Sequence, residues 1–142
     1  MKTFLFACVH NAGRSQMSAA FFNVIVDPSK AQGISAGTEP GDHVHPEVIE
    51  AMKEVGIDLS EVKPQLLTPK MAANVNYLVT MGCGAVCPII PQIRREDWPL
   101  EDPKGKPMAR VREIRDDIKR RIEELAVKLE VKAPAPAGPE RR

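Results

Sequence analysis

Alternating strand and helix patterns predict an α/β fold: a single domain built on a four-stranded parallel sheet with helices on both faces. Three observations carry this expectation. Short β-favouring runs at residues 4–7, 33–36 and 77–81 alternate with helical periodicities. Loops bearing Gly and Cys follow the first and third of those runs. A length of 142 residues supports one substantial core and falls short of two ordinary domains.

The run Phe4-Leu5-Phe6-Ala7 reads as a buried strand, and residues 9–13 separate it from an amphipathic pattern of Met17, Ala20, Phe21, Val24 and Ile25. A short strand follows at 33–36. Pro46 then opens a second helix carrying Val48, Ile49, Met52 and Val55, which stops at Gly56. The third strand, Tyr77-Leu78-Val79-Thr80-Met81, empties into a segment, 82–88, that contains Gly82, Cys83, Gly84 and Cys87. Val111, Ile114, Ile118, Ile122, Leu125 and Leu129 recur at spacings of three and four, predicting one helix from about Met108 to Glu130 with a single core-facing stripe. The domain is therefore expected over 1–131. Residues 132–142 are Ala/Pro-rich, show no apolar periodicity and read as a disordered tail.

The charge balance, 20 Lys and Arg against 19 Asp and Glu, offers no general attraction to nucleic acid or an anionic membrane. The apolar run at the amino terminus is too short for a secretory signal, and no other segment approaches membrane-spanning length. These features predict a cytoplasmic chain, expected to be a monomer. In that reducing compartment Cys8, Cys83 and Cys87 are catalytic, metal-binding or inert rather than a permanent disulfide framework.

Parallel α/β sheets bind ligands outside the carboxyl ends of their strands, which is where all three cysteines fall. Cys8-Val9-His10-Asn11-Ala12-Gly13-Arg14-Ser15 sits in the turn between the first strand and the first helix. A loop wrapped at a helix amino terminus points backbone N–H groups at one spot and makes a nest for a tetrahedral oxyanion. Arg14 adds a bidentate clamp on two oxygens. The same positive field favours a thiolate at Cys8, and Ser15 is placed to donate a hydrogen bond to its sulfur. Two readings of Cys8 stand here: an activated nucleophile, or a small buried hydrophobe beside an ordinary surface arginine. Asn11 in the turn, Ser15 next to Arg14 and a helix pattern beginning at that point favour the first. An ATP-type phosphate loop is excluded, because Gly-Lys-Ser/Thr is absent.

With these residues in view, the sequence resembles the low-molecular-weight protein tyrosine phosphatase superfamily, and within it the arsenate reductases that depend on thioredoxin or a small thiol. The resemblance runs through Asn11-Ala12-Gly13-Arg14-Ser15-Gln16-Met17, Ser35-Ala36-Gly37, Glu50-Ala51-Met52-Lys53-Glu54 and Val79-Thr80-Met81. It continues through Cys87-Pro88-Ile89-Ile90-Pro91 and from Trp98 to Asp102-Pro103-Lys104-Gly105-Lys106. It covers nearly the whole chain up to the tail.

The resemblance implies that Asp102, just before Pro103, is the general acid for the departing oxygen; Asp97 and Glu101 are its acidic neighbours in sequence. It also implies an order of steps. Cys8 attacks arsenate, Cys83 attacks Cys8 with release of arsenite, and Cys87 attacks Cys83, leaving a disulfide for thioredoxin. Glycines 82 and 84 would let that segment move. The best-known thioredoxin-linked members separate these two cysteines by a longer segment, and the three residues here permit a disulfide with local rearrangement. An external thiol such as mycothiol or glutathione is the alternative reductant.

Asn11 and Ser35 match positions that brace the nucleophile loop, and in some members help to bind potassium. Ala19 and Leu66 stand where such members place acidic ligands, so no metal or bound cofactor is expected. Trp98 is read as packing, and His43 and His45 as solvated surface residues. Two rival functions remain. A phosphatase would share the loop, Arg14 and Asp102, although Lys104 stands where phosphatases of the family commonly carry an aromatic residue. A zinc- or arsenite-binding module would use the three thiols, with His10 as a further zinc ligand, and would leave Arg14 without a purpose.

Overall fold

The computed structural model describes residues 1–82 and 93–133. Strands β1 (Lys2–Cys8), β2 (Ala31–Gly37), β3 (Tyr77–Met81) and β4 (Arg94–Asp97) form one sheet in the order β2-β1-β3-β4. Every neighbouring pair is parallel, as the alternating pattern predicts. Helices α1 (Arg14–Ile25), α2 (Pro46–Lys53), α3 (Pro69–Ala73) and α4 (Met108–Lys128) complete the elements.

Side chains alternate across β1. Phe4, Phe6 and Cys8 face a core built from Met17, Phe21 and Phe22 of α1, Val48 and Met52 of α2, and the Ile114, Ile118, Ile122 and Leu125 stripe of α4. Leu5 and Ala7 face the opposite way, where Ala36, Leu78, Leu67, Met71 and Val75 cover the sheet. Both faces are thus buried, which is why the central strands read as continuous apolar runs. Burial of each large apolar side chain stabilises the fold by about 1.5–3 kcal/mol. The rings of Phe4 and Phe22 add a contact at 4.5 Å between centroids, and Trp98 packs into the same core, as expected, with its ring 6.3 Å from Phe6.

Some details differ from the sequence reading. Val24 is 66% exposed, and Phe22 takes its place facing the sheet. Val55 lies beyond the end of α2 and is exposed. The second strand is longer than 33–36 at both ends. The fourth strand, β4, has the sequence Arg94-Arg95-Glu96-Asp97, with no apolar signal at all. It is held by polar partners: the Tyr77 hydroxyl donates to Glu96, as do Trp98 Nε1 at 3.1 Å and Lys128 Nζ at 3.1 Å. A charged, short edge strand also resists pairing with other chains. Lys132, assigned to the tail by composition, bridges to Val26, and the N–H of Ala133 donates to the Ile25 carbonyl at 2.9 Å. The remainder of the tail, 134–142, lies outside the described residues.

The chain goes from β1 to β2 on one side and returns to β3 on the other, so the direction of winding reverses at the crevice between β1 and β3. In open α/β sheets that crevice, at the carboxyl ends of the strands, is the place for a ligand.

Candidate active site

Cys8 is the last residue of β1, and its register partner on β3 is Met81, the last residue of that strand. The two strands therefore end side by side. Cys8 is a free thiol, 2% exposed. Its Sγ lies 2.9 Å from the Ser15 hydroxyl, which sits in the first turn of α1.

The loop between them is fastened by its carbonyls. Those of Cys8, Val9 and His10 accept from the N–H groups of Thr38, Glu39 and Gly41 at 3.2, 2.8 and 3.0 Å. The Ala12 carbonyl accepts from the His45 N–H at 2.9 Å, and the Gly13 carbonyl from the Met17 N–H at 3.0 Å. With these carbonyls engaged, the loop is fixed at the amino end of α1, where the first N–H groups of a helix lack helical partners. The His10 ring is engaged by the next loop: its Nδ1 donates to the Glu39 carbonyl at 2.9 Å.

Arg14 is buried, and its guanidinium is held in place. Nη1 donates to the Leu100 carbonyl at 3.1 Å, and Nη2 lies 3.8 Å from Asp102 Oδ2. The group passes over Gly82, whose φ of +80° is glycine's territory and where a Cβ would collide with Nη1. Gly82 thus has a steric reason beyond the mobility read from sequence. Asp102 reaches the site from the loop before α4, its Oδ1 accepting the Lys104 N–H at 3.0 Å. Pro103 lies so close over Gly13 that a Cβ on that glycine would sit 2.9 Å from its ring. Asp97 and Glu101 are engaged elsewhere: Thr80 donates to Asp97, and Arg110 and Lys106 pair with Glu101.

The residues read from sequence as the nucleophile loop, its arginine, its serine and its acid thus converge on one spot. Ser35 meets them indirectly, its carbonyl accepting from Gln65 Nε2 at 2.7 Å. Cys83 and Cys87 lie outside the described residues, but Cys83 follows Gly82 in the chain. Among the described residues, no group of three His, Cys, Asp or Glu side chains is placed to hold a metal ion. None of their helices is long and apolar enough to cross a membrane.

Leu66 is 53% exposed, and its neighbour Gln65 meets Asn11, its N–H donating to Asn11 Oδ1 at 2.9 Å. One expectation is corrected. His45 is half-buried at the start of α2, its ring against Gly13, and this burial pushes its imidazole below the ordinary value despite the opposing pull of Glu47 and Asp102. His43, by contrast, is exposed. With His10, Gly41, Asp42 and Lys104, the two histidines line a cavity of about 320 Å³ beside the loop. Gln16 had no role in the sequence reading; its Nε2 donates to both Asn11 oxygens at 3.1 Å. Neither glutamine belongs to an apolar period; Gln16 falls within the motif that carries the resemblance, and no local signal marked Gln65.

A cysteine at the end of a parallel strand, an anchored arginine at the start of the next helix, and an aspartate delivered by a later loop meet in the crevice where such folds place a ligand. The chain belongs to the low molecular weight phosphotyrosine protein phosphatase family, whose model matches residues 3–135. Its similar relatives point to one branch. A putative arsenate reductase of Halobacterium salinarum is 42% identical over 126 residues, 86% of this chain and 89% of the relative. An arsenate reductase of Staphylococcus aureus is 39% identical over 125 residues, 86% and 94% of the two chains. The solved thioredoxin-dependent arsenate reductase of Corynebacterium glutamicum superposes with a TM-score of 0.79 at 37% identity. That match covers 92% of this chain and 62% of the larger one.

Proposed function

We propose that the protein reduces arsenate to arsenite, with Cys8 as nucleophile and Cys83 and Cys87 as a thiol relay recycled by thioredoxin. The observation that carries this reading is the pairing of Cys8 with Met81 across adjacent strands. It starts the segment bearing the two further cysteines beside the nucleophile, an arrangement a hydrolase does not need and a reductase does.

Arsenate is held by the N–H groups of residues 9–14 and by the Arg14 guanidinium, in a site built for a tetrahedral anion. The Ser15 hydroxyl donates to the Cys8 sulfur and stabilises its thiolate. The Cys8 thiolate attacks arsenic, an S–As bond forms, and one oxygen departs as water with a proton from Asp102. Cys83 as thiolate then attacks the Cys8 sulfur: an S–S bond forms, the S–As bond breaks, and its electron pair stays on arsenic. Arsenic(V) becomes arsenic(III), and arsenite leaves. Cys87 attacks Cys83, which frees Cys8 and leaves a Cys83–Cys87 disulfide. Two electrons from a thioredoxin dithiol restore both thiols. No bound cofactor is required.

Anaerobic reaction of the fully reduced protein with arsenate, without any external reductant, tests this. The expected result is about one arsenite per chain, with two thiols lost and the disulfide found between peptides bearing Cys83 and Cys87. Hydrolysis of a phosphate ester with no arsenite formed would instead establish the phosphatase reading.

A further inference from the structure

The mechanism uses Ser15 but not the residues that orient it. Asn11 is fully buried, with a φ of +51°. Its Oδ1 accepts from the backbone N–H of Gln65 at 2.9 Å and from Gln16 Nε2 at 3.1 Å, while its Nδ2 donates to Ser15 Oγ at 2.7 Å. A backbone N–H can only donate. The bond from Gln65 therefore admits a single orientation of the Asn11 amide, oxygen toward Gln65 and nitrogen toward Ser15. With its oxygen accepting from Asn11, Ser15 has its own O–H free to point at the Cys8 sulfur, 2.9 Å away.

Gln65 is itself tethered to the end of β2. Its Nε2 donates to the Ser35 carbonyl at 2.7 Å, and its own carbonyl accepts the Gly37 N–H at 2.9 Å. The N–H of Leu67 returns to the Gly37 carbonyl at 2.8 Å. A residue 54 positions from Asn11 is thus locked against the nucleophile loop.

We infer that Gln65 is a positioning residue for the nucleophile: it sets the polarity of the hydrogen-bond chain Gln65–Asn11–Ser15–Cys8, so that the serine donates to the sulfur. The inference rests on Cys8 being the nucleophile but not on arsenate being its target. Gln65 touches no reacting atom and acts through Asn11. Its side chain contributes by holding its backbone N–H in place, and the donor to Ser35 is the part that substitution can remove.

The test is the rate at which iodoacetamide alkylates Cys8 in the full chain, read from the peptide bearing that residue, without arsenate. Gln65→Ala removes the side-chain tether to Ser35, and Gln65→Glu keeps its size but replaces the donor with an acceptor. Both variants are expected to lose about tenfold in rate near pH 6 and to match wild type near pH 10, where the base ionises the thiol without help. Gln65→Asn should recover part of the loss. Equal rates in all four proteins across this range overturn the inference. A second measurement needs only wild type: a scalar coupling across the hydrogen bond from the Gln65 amide nitrogen to the Asn11 side-chain carbonyl carbon. The coupling is expected, and its absence, with a Gln65 amide that exchanges as fast as an exposed one, overturns the inference by itself. Because neither experiment involves arsenate, failure of the reductase reading would leave both results interpretable.

Discussion

The guanidinium of Arg14 lies over Gly82, in a space that any Cβ on that glycine would invade. The arginine proposed to clamp the anion and the residue just before Cys83 are therefore in contact. Gly82→Ala should displace Arg14 and strain a backbone held at φ +80°. A shift of about 1 Å in a clamping group can lower turnover on the order of a hundredfold. Steady-state kinetics with arsenate should show that loss, together with a raised KM. Unchanged kinetics would mean that Arg14 reaches the anion from another position.

Ser15→Ala removes the hydroxyl 2.9 Å from the Cys8 sulfur. A hydrogen bond to a charged partner contributes about 1.5–3 kcal/mol. Alkylation of Cys8 near neutral pH should therefore slow by about tenfold or more. Stopped-flow measurement with a chromogenic thiol reagent checks this.

Asp102→Asn keeps the shape of the loop and removes the proton. General acids contribute about 10²–10⁴-fold, so kcat for arsenate should fall by at least the lower figure. Tightness of arsenate binding should change little or improve, because the Asp102 carboxylate near Arg14 is lost. Full turnover in this variant would remove Asp102 from the mechanism.

Away from the site, Arg112 and Arg115 on α4 both pair with Glu54 at the end of α2. Hydrogen bonds from Arg112, above all, hold the Glu54 carboxyl at about 2, below its ordinary 4.5. A group lowered by folding stabilises the native state above its unfolded value, and that contribution is lost as pH falls through the folded one. Thermal melts of wild type and Arg112→Ala should therefore differ near neutral pH, with the variant melting lower. The gap should close between about pH 4.5 and about pH 2.

The sequence revealed the parts of this fold that bury apolar surface. β1, β3 and α4 are legible because Phe4, Phe6, Val79 and the Ile114-to-Leu125 stripe share one core, while Leu5 and Leu78 are buried on the other face of the sheet. β4 was expected only as a fourth strand without a location, since Arg94-Arg95-Glu96-Asp97 is held by Tyr77, Trp98 and Lys128. Those partners are set by the tertiary fold, not by local pattern. α3 spans five residues from its Thr68 cap, too few for a helical period to show. In α1 the apolar pattern pointed at Val24 because Arg14, Ser15, Gln16 and Ser18 occupy buried positions that sequence reading leaves to solvent. Of the residues that meet at the candidate site, Cys8, Arg14 and Ser15 stood out in the sequence by residue type and spacing, and Asp102 by the family resemblance. Gln65 did not, because it acts through a backbone N–H that any residue but proline possesses.

The most direct test of the proposed relay is arsenate-dependent oxidation of NADPH in the presence of thioredoxin and thioredoxin reductase. Wild type should turn over, Cys8→Ser should form no arsenite, and Cys83→Ser and Cys87→Ser should fail to turn over despite an intact Cys8. Undiminished turnover in Cys83→Ser or Cys87→Ser would contradict the internal relay. Absence of oxidation by wild type, with turnover restored by glutathione or mycothiol, would replace thioredoxin with a small thiol.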